Sequence, residues 1–76
     1  MAAGEVSIEL SHDQALVLFE WLARTRLESD PRNFKDHSEQ LVLWHLEAAL
    51  EPSLTEPLDP DYLSLLHAAR SRVKGT

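Results

Sequence analysis

Residues 11–27 read SHDQALVLFEWLARTRL, and this segment predicts the longest helix of the chain. Ser11 with Gln14 three residues later is the capping-box pattern, in which the serine hydroxyl accepts from the third helical amide and the glutamine reaches back to the Ser11 N–H. Apolar side chains recur on two adjacent rows of this helix, which is a wider arc than one partner helix covers. We therefore expect the helix over 11–27 to be central, with neighbours on more than one side.

The segment before this helix, residues 5–10, alternates strictly between apolar and polar side chains. Its apolar residues are Val6, Ile8 and Leu10, and its polar residues are Glu5, Ser7 and Glu9. This period of two predicts a short, half-buried β-strand after a disordered N-terminus over residues 1–4. Because a lone strand leaves its backbone groups unpaired, it needs a partner. The pattern leaves two open: the internal segment 54–58, which Pro57 interrupts, or a second copy of the chain.

Two further helices are predicted downstream, over residues 37–51 and 60–73. Each follows an aspartate that is a favourable N-cap, Asp36 for the first and Asp59 for the second. Pro52 disfavours helical geometry beyond residue 51. In the helix over 37–51 we expect two rows to face inward, Val42, Leu46, Ala49 and Leu43, Leu46, Leu50, and we expect Phe34 in the preceding loop to fold back as an anchor. We therefore predict a mainly α fold in a single domain of 76 residues, with a short N-terminal β-strand followed by three antiparallel-packed helices (β-α-α-α).

The composition excludes several kinds of chemistry and of partner. With no cysteine, the chain has no disulfide, no thiolate nucleophile and no Cys-ligated zinc site. Residues 1–69 carry 4 basic against 13 acidic side chains, and an acidic surface repels phosphate backbones and anionic lipids, so neither nucleic acid nor membrane is expected as a partner. No signal-peptide pattern is present, and the longest apolar run, residues 15–19, is far too short to cross a bilayer. We expect a soluble, cytoplasmic protein.

The titratable residues do not form a recognisable reaction centre. The four histidines are His12, His37, His45 and His67. No two of them have the i,i+4 spacing of a helical zinc site. Many carboxylates fall at predicted caps and first helical turns, where they have a structural role. We therefore predict no metal site, no cofactor and no enzymatic activity.

The apolar side chains give the strongest functional indication, because there are more of them than three short helices can hide from one another. Trp21 and Trp44 fall beside the inward rows of their helices. They could be core edges, packed against each other or against Phe34, or they could belong to a partner interface, where tryptophan is favoured. The predicted partner-binding residues are Val6, Ile8, Leu16, Val17, Trp21 and Trp44.

Several runs of the sequence carry a resemblance. They are residues 8–22 (IELSHDQALVLFEWL), residues 39–44 (EQLVLW), and residues 61–63 (DYL) leading into residues 68–70 (AAR). Together they resemble a group of small acidic bacterial proteins of similar length, over about residues 5–74. These motifs form the fold rather than a catalytic site. The resemblance therefore implies a stand-alone, helical bacterial protein and assigns no site residue.

Two functions remain open from the sequence. The first is a non-enzymatic protein-interaction module, a small homodimeric acidic adaptor or regulatory protein, which accounts for the wide apolar arcs and the unpaired strand. The second is an immunity, antitoxin or inhibitor protein that caps a basic enzyme surface, because a surplus of acids suits electrostatically steered binding. The acids expected to steer such a partner are Glu20, Glu28, Asp30 and Glu47.

Overall fold

The computed structural model describes residues 4–28 and 30–75, and within them three α-helices pack together. They are α1 (His12–Leu27), α2 (His37–Leu50) and α3 (Tyr62–Lys74). Three short 3₁₀ turns lie in the connections, at Pro31–Asn33, Glu51–Ser53 and Glu56–Leu58. The prediction of a mainly helical fold with three packed helices is confirmed.

The start of α1 is fixed by the predicted capping box. The amide of Gln14 donates to the Ser11 hydroxyl at 3.0 Å, and the Ser11 amide donates to the Gln14 side-chain oxygen at 2.8 Å. Two of the amides that a helix N-terminus leaves unpaired are satisfied in this way. Asp13 in the first turn adds a favourable charge to the positive end of the helix dipole.

The caps of α2 and α3 differ in detail from the expected pattern. The Asp36 carboxylate accepts from the Ser38 amide at 2.7 Å, while Glu39 reaches past Asp36 to the Lys35 amide at 2.8 Å. Helix α3 begins at Tyr62 rather than at residue 60. The Asp59 carboxylate caps the turn just before it, accepting from the Asp61 amide at 2.8 Å.

The predicted β-strand over residues 5–10 is not supported, because these residues have no regular secondary structure, and no strand occurs elsewhere in residues 4–28 and 30–75. The internal partner considered for it is not extended either. Glu56–Leu58 winds into a 3₁₀ turn, and Leu54 is buried in the core. With no second strand beside it, the backbone of residues 5–10 has nothing in its own chain to form a ladder with. Residues 1–3 of the expected disordered N-terminus lie outside the described residues.

Helix α1 is the central element, as predicted. It packs against both α3 and α2, while Leu16, Leu54, Leu66 and Ala69 form the buried core cluster. Two contacts show the direction of α3 relative to α1: Arg72 hydrogen-bonds to Asp13, and Tyr62 hydrogen-bonds to Glu20. Because the later residue of α3 meets the earlier residue of α1, these two helices run antiparallel.

The chain exposes more surface than its size requires. Its accessible surface is 6163 Å², whereas a folded monomer of 8.6 kDa exposes about 4,700 Å². Part of the excess lies on the segment before α1, where Val6 is 88% exposed and Ile8 79% exposed. The three helices therefore do not close over all of the apolar surface that the sequence provides.

Candidate interaction surface

An open apolar depression lies between α1 and α2, and we call it the α1–α2 groove. Its volume is about 490 Å³. Its apolar lining comes from both helices and from the connection between them: Trp21, Phe34, Val42 and Leu43. Its polar rim consists of Asn33, Ser38 and Glu39. Such a depression, apolar at the centre and polar at its edge, has the composition of a protein-binding surface.

Helical spacing explains how α2 contributes one side of the groove. Val42 lies three and four residues after Glu39 and Ser38, so these side chains share a helix face. Val42 was expected to face inward with Leu46 and Ala49, but it is 63% exposed. Leu43 and Leu46 are half-buried, in line with their expected inward direction, and together with the buried Glu47 they leave Val42 at the edge of the helix contact.

Phe34 forms the floor between the two helices. It is half-buried, and besides the groove it lines a small cavity of about 10 Å³ with Leu22 and Trp44. The large apolar side chain of the loop between α1 and α2 therefore packs against the two helices, as expected of a loop anchor.

The two tryptophans lie on different sides of Phe34. Trp21 is partly exposed and lines the groove, whereas Trp44 lines the small cavity and makes an edge-to-face contact with His37, with ring centroids 6.0 Å apart. In the described part of the chain this is the one aromatic pair found, so the tryptophans do not pack against each other.

The six predicted partner-binding residues are not gathered in one place. Val6 and Ile8 are exposed on the segment before α1, and Trp21 lines the groove. Leu16 is only 2% exposed and belongs to the core, with Val17 half-buried beside it. The row of α1 that carries Leu16 faces α3, so Leu16 presents almost no surface in this fold, and the partner-binding role of the six residues stays a prediction.

The sequence did not identify Val42 and Leu43 as lining residues of the groove: Val42 was assigned to the interior but is exposed, whereas Leu43 faces inward as expected and also lines the groove. The sequence of α2 does not indicate that these two residues line a groove. A helical pattern shows which residues share a face, but it does not show how much of that face the neighbouring helix covers. The charged rim residue Glu39, three positions before Val42, was the one indication that this face of α2 reaches solvent.

Most of the acidic residues expected to steer a basic partner already form ion pairs with arginines of the same chain. Glu20 is 3.7 Å from Arg24, Asp30 is 2.8 Å from Arg32, and the buried carboxylate of Glu47 accepts from the Arg26 Nε at 3.1 Å. Of the four acids named from the sequence, Glu28 alone has no such ion pair among the described residues. The charge offered to a partner near α1 and its following loop is therefore smaller than the sequence suggests.

The opposite side of α1 is closed by polar contacts to α3. The Tyr62 hydroxyl donates to the Glu20 carboxylate at 2.7 Å, and burial together with this hydrogen bond raises the pKa of Tyr62 above its usual value. Nearer the start of α1, Arg72 donates to both carboxylate oxygens of Asp13, at 2.8 and 2.9 Å. This pairing lowers the pKa of Asp13. A second open depression, of about 480 Å³, lies where the end of α3 meets the start of α1, but its lining is mostly polar in residue type: Ser11, Asp13, Gln14 and Arg72, with Val73 and Gly75.

The histidines are dispersed over the structure. His12 contacts the Glu56 carboxylate at 2.5 Å, and the pKa of Glu56 is lowered by a hydrogen bond from its own backbone amide and by this contact. His37 contacts Gln40 at 3.2 Å. His45 and His67 are exposed. Within residues 4–28 and 30–75, no three His, Asp or Glu side chains come together in a group that could hold a metal ion.

None of the helices in the described ranges has both the length and the apolar character needed to cross a membrane. Compared with known protein families, curated proteins and solved structures, the chain matches none of them. The geometry of the α1–α2 groove and of the exposed segment before α1 therefore carries the functional argument.

Proposed function

We propose that the protein is a non-enzymatic interaction module that acts as a homodimer. The observation that carries this proposal is the apolar surface left uncovered in one chain: the α1–α2 groove, with Trp21 and Val42, and the segment 5–10, with Val6 and Ile8. Contiguous exposed apolar area is typical of a surface that meets another protein, although Leu27, Leu58 and Leu63, which are also largely exposed, lie outside these two surfaces.

The amount of surface supports a dimer of ordinary size. The chain exposes about 1,500 Å² more than a folded monomer of its mass. A standard protein interface buries about 800 Å² on each partner, so the excess is enough for one such interface. A small domain also gains most from this burial, because its own core is limited.

The segment 5–10 supplies a physical reason for two copies. Its alternating pattern suits a β-strand, and the missing ladder partner is available in the same segment of a second chain. Antiparallel pairing about a two-fold axis satisfies backbone donors and acceptors of both strands, and two-fold dimers are the commonest oligomers. The paired strands would keep Glu5 and Glu9 on the face opposite Val6 and Ile8, in contact with water.

Sedimentation of the pure protein tests the proposal. At about 100 µM we expect a species of twice the 8.6 kDa monomer mass. The variant Ile8→Pro removes a backbone donor from the strand and should dissociate the dimer, while Ile8→Val keeps both the donor and the apolar face and should not. A wild-type chain that remains at 8.6 kDa throughout that concentration range contradicts the homodimer.

The second function, capping of a basic enzyme surface, has less support from the described contacts. Three of its four steering acids form ion pairs with arginines of the same chain. Binding a basic partner through these acids would require those ion pairs to break. The acids on the exposed segment, Glu5 and Glu9, remain available, so a basic partner would have to meet the chain there. An association rate that falls steeply with added salt would favour this function over the homodimer.

A further inference from the structure

We propose that the apolar face of residues 5–10, which we call the N-terminal arm, lies in the α1–α2 groove of the second copy in the dimer. This inference rests on the proposed homodimer and adds which surface the arm covers. Each groove is incomplete in one chain, and Val6 and Ile8 of the other chain complete it.

The arm requires a cover even when it is paired. Two strands alone form a ribbon that is marginally stable in water, and packing against a helical surface is what stabilises such a ribbon. Val6 and Ile8 have no such cover in their own chain, where both are largely exposed. Pairing of two arms would place Val6 and Ile8 of both chains on one face of the ribbon. This apolar face would then have to be buried against another surface.

The groove offers a surface of the matching kind. Trp21 and Phe34 present aromatic rings, and Val42 presents a branched aliphatic side chain beside them. Contacts between aromatic and β-branched side chains are among the favourable pairings of strands, and tryptophan is enriched at protein interfaces. The groove therefore suits an extended segment that places a valine and an isoleucine on one face.

The arm and the region beside the groove differ in formal charge. The arm carries Glu5 and Glu9 and no basic residue. Residues 24–35, which include the end of α1 and the loop beside the groove, carry four basic against two acidic residues in a chain that is acidic as a whole. Lys35 follows the groove residue Phe34 directly, and no ion pair of its side chain occurs among the described residues. Arg24, Arg26 and Arg32 are already paired with acids of the same chain. Glu5 and Glu9 lie on the face of the arm opposite Val6 and Ile8, so the attraction of a docked arm comes mainly from Lys35 and is screened by water.

The lengths also agree. An extended arm of six residues spans about 20 Å, and Trp21 lies about 14 Å along α1 from His12. The arm is therefore long enough to cross a groove of this size. In the single chain the arm leaves Val6 and Ile8 exposed instead of lying on its own α1–α2 groove, which favours the groove of the partner.

One matched pair of substitutions tests the groove as the docking surface. Val42→Asp places a charge at an exposed groove position, and Leu63→Asp places the same charge at an 80% exposed position on α3, away from the groove. We expect Val42→Asp to raise the dimer dissociation constant about tenfold or more, and Leu63→Asp to leave it unchanged. Helical circular dichroism should be the same for both variants and wild type, because both positions are solvent-accessible in the monomer.

Disulfide trapping tests which copy supplies the arm, and the absence of native cysteine makes the result unambiguous. An equimolar mixture of an Ile8→Cys chain and a Val42→Cys chain, oxidised and mapped by mass spectrometry, should give a link between position 8 of one chain and position 42 of the other. The mixture of Ile8→Cys with Leu63→Cys serves as the control and should give no link between those positions.

The outcomes separate this inference from the function on which it rests. A wild-type dimer that yields no link between positions 8 and 42 and resists Val42→Asp would overturn the docking while leaving the homodimer intact. A double variant, Ile8→Cys with Val42→Cys, that forms its disulfide within one chain would show that the arm covers its own groove, which also overturns the inference. A monomeric wild type would contradict the proposed function itself.

Discussion

The two sides of α1 differ in how completely they are covered. On the α3 side, Leu16 and Leu66 are buried together, and polar contacts close the edges, from Tyr62 to Glu20 and from Arg72 to Asp13. On the α2 side, Leu22 is buried, but Val42 and Trp21 remain largely or partly exposed at the α1–α2 groove. The apolar residues of α1 are thus covered more completely on the α3 side than on the α2 side.

This difference separates the residues that hold the monomer together from those that remain available to a partner. Burial of apolar surface is worth about 25 cal/mol per Å², so the covered α3 side contributes most to the stability of the chain. The α2 side keeps apolar area in water that no described contact of the same chain removes. Substitutions on the two sides should therefore differ in size, and in whether their effect depends on protein concentration.

The largest expected effect is on the α3 side. Leu66→Ala removes a core side chain and should lower the free energy of unfolding by about 2–5 kcal/mol, which is comparable with the whole stability of a domain this small. Leu63→Ala, on the exposed face of the same helix, should change it by less than about 0.5 kcal/mol. Urea unfolding followed by circular dichroism measures both. Equal effects at the two positions would mean that α3 packs on a different face.

A smaller effect is expected at the polar edge of the same interface. Tyr62→Phe removes the hydroxyl that donates to Glu20 and should lower the free energy of unfolding by about 1 kcal/mol, since the pair is only partly buried. Glu20→Gln keeps an acceptor at this position and should cost less. The difference between Tyr62→Phe and wild type should be seen by urea unfolding at neutral pH.

The titration of the same tyrosine supplies an independent check, because it is the single tyrosine of the chain. Burial and the Glu20 carboxylate raise the pKa of Tyr62 above its ordinary value of 10.0. A raised pKa in the folded state means that the neutral phenol contributes stability, which is present below pH 10 and lost as the pH rises through the folded-state pKa. The phenolate absorbance should therefore appear only above the pH at which free tyrosine ionises, and an ordinary titration would contradict the buried contact.

The smallest effect is expected at the exposed pair near the start of α1. Arg72 lowers the pKa of Asp13 from its ordinary value of 3.8, so the pair contributes stability above that pH and loses it as the pH falls through the lowered pKa. In Arg72→Gln the pKa of Asp13, followed by NMR, should return towards 3.8. The stability difference from wild type should disappear in acid. A pKa of Asp13 unchanged by Arg72→Gln would show that the two side chains do not pair in solution.

Local sequence signals predicted the helices well, because the caps that start them depend on residues only a few positions apart. Ser11 and Gln14 form the expected capping box, and Asp36 caps α2. The start of α3 was placed two residues early because Asp59 and Pro60 shape a turn that precedes the regular helix instead of beginning it.

The candidate surface was harder to predict, because it depends on how the helices meet. The alternation of residues 5–10 indicates a segment suited to pairing, but it contains no information on whether the same chain supplies a second strand. Likewise, Trp21 falls beside the apolar rows of α1, one of which contains Leu16, and the sequence does not state which side of the helix faces α3. The structure buries Leu16 and leaves Trp21 partly exposed, so of these two predicted partner-binding residues Leu16 belongs to the core.

The dependence of stability on protein concentration tests the central claim most directly. If a second copy covers the α2 side of α1, the urea midpoint of wild type should rise between about 1 and 100 µM protein, because association stabilises only the folded chain. The midpoint of Val42→Asp should stay constant over the same range. A wild-type midpoint that does not change with concentration would contradict the claim that the open face of α1 and α2 is completed by another copy of the chain.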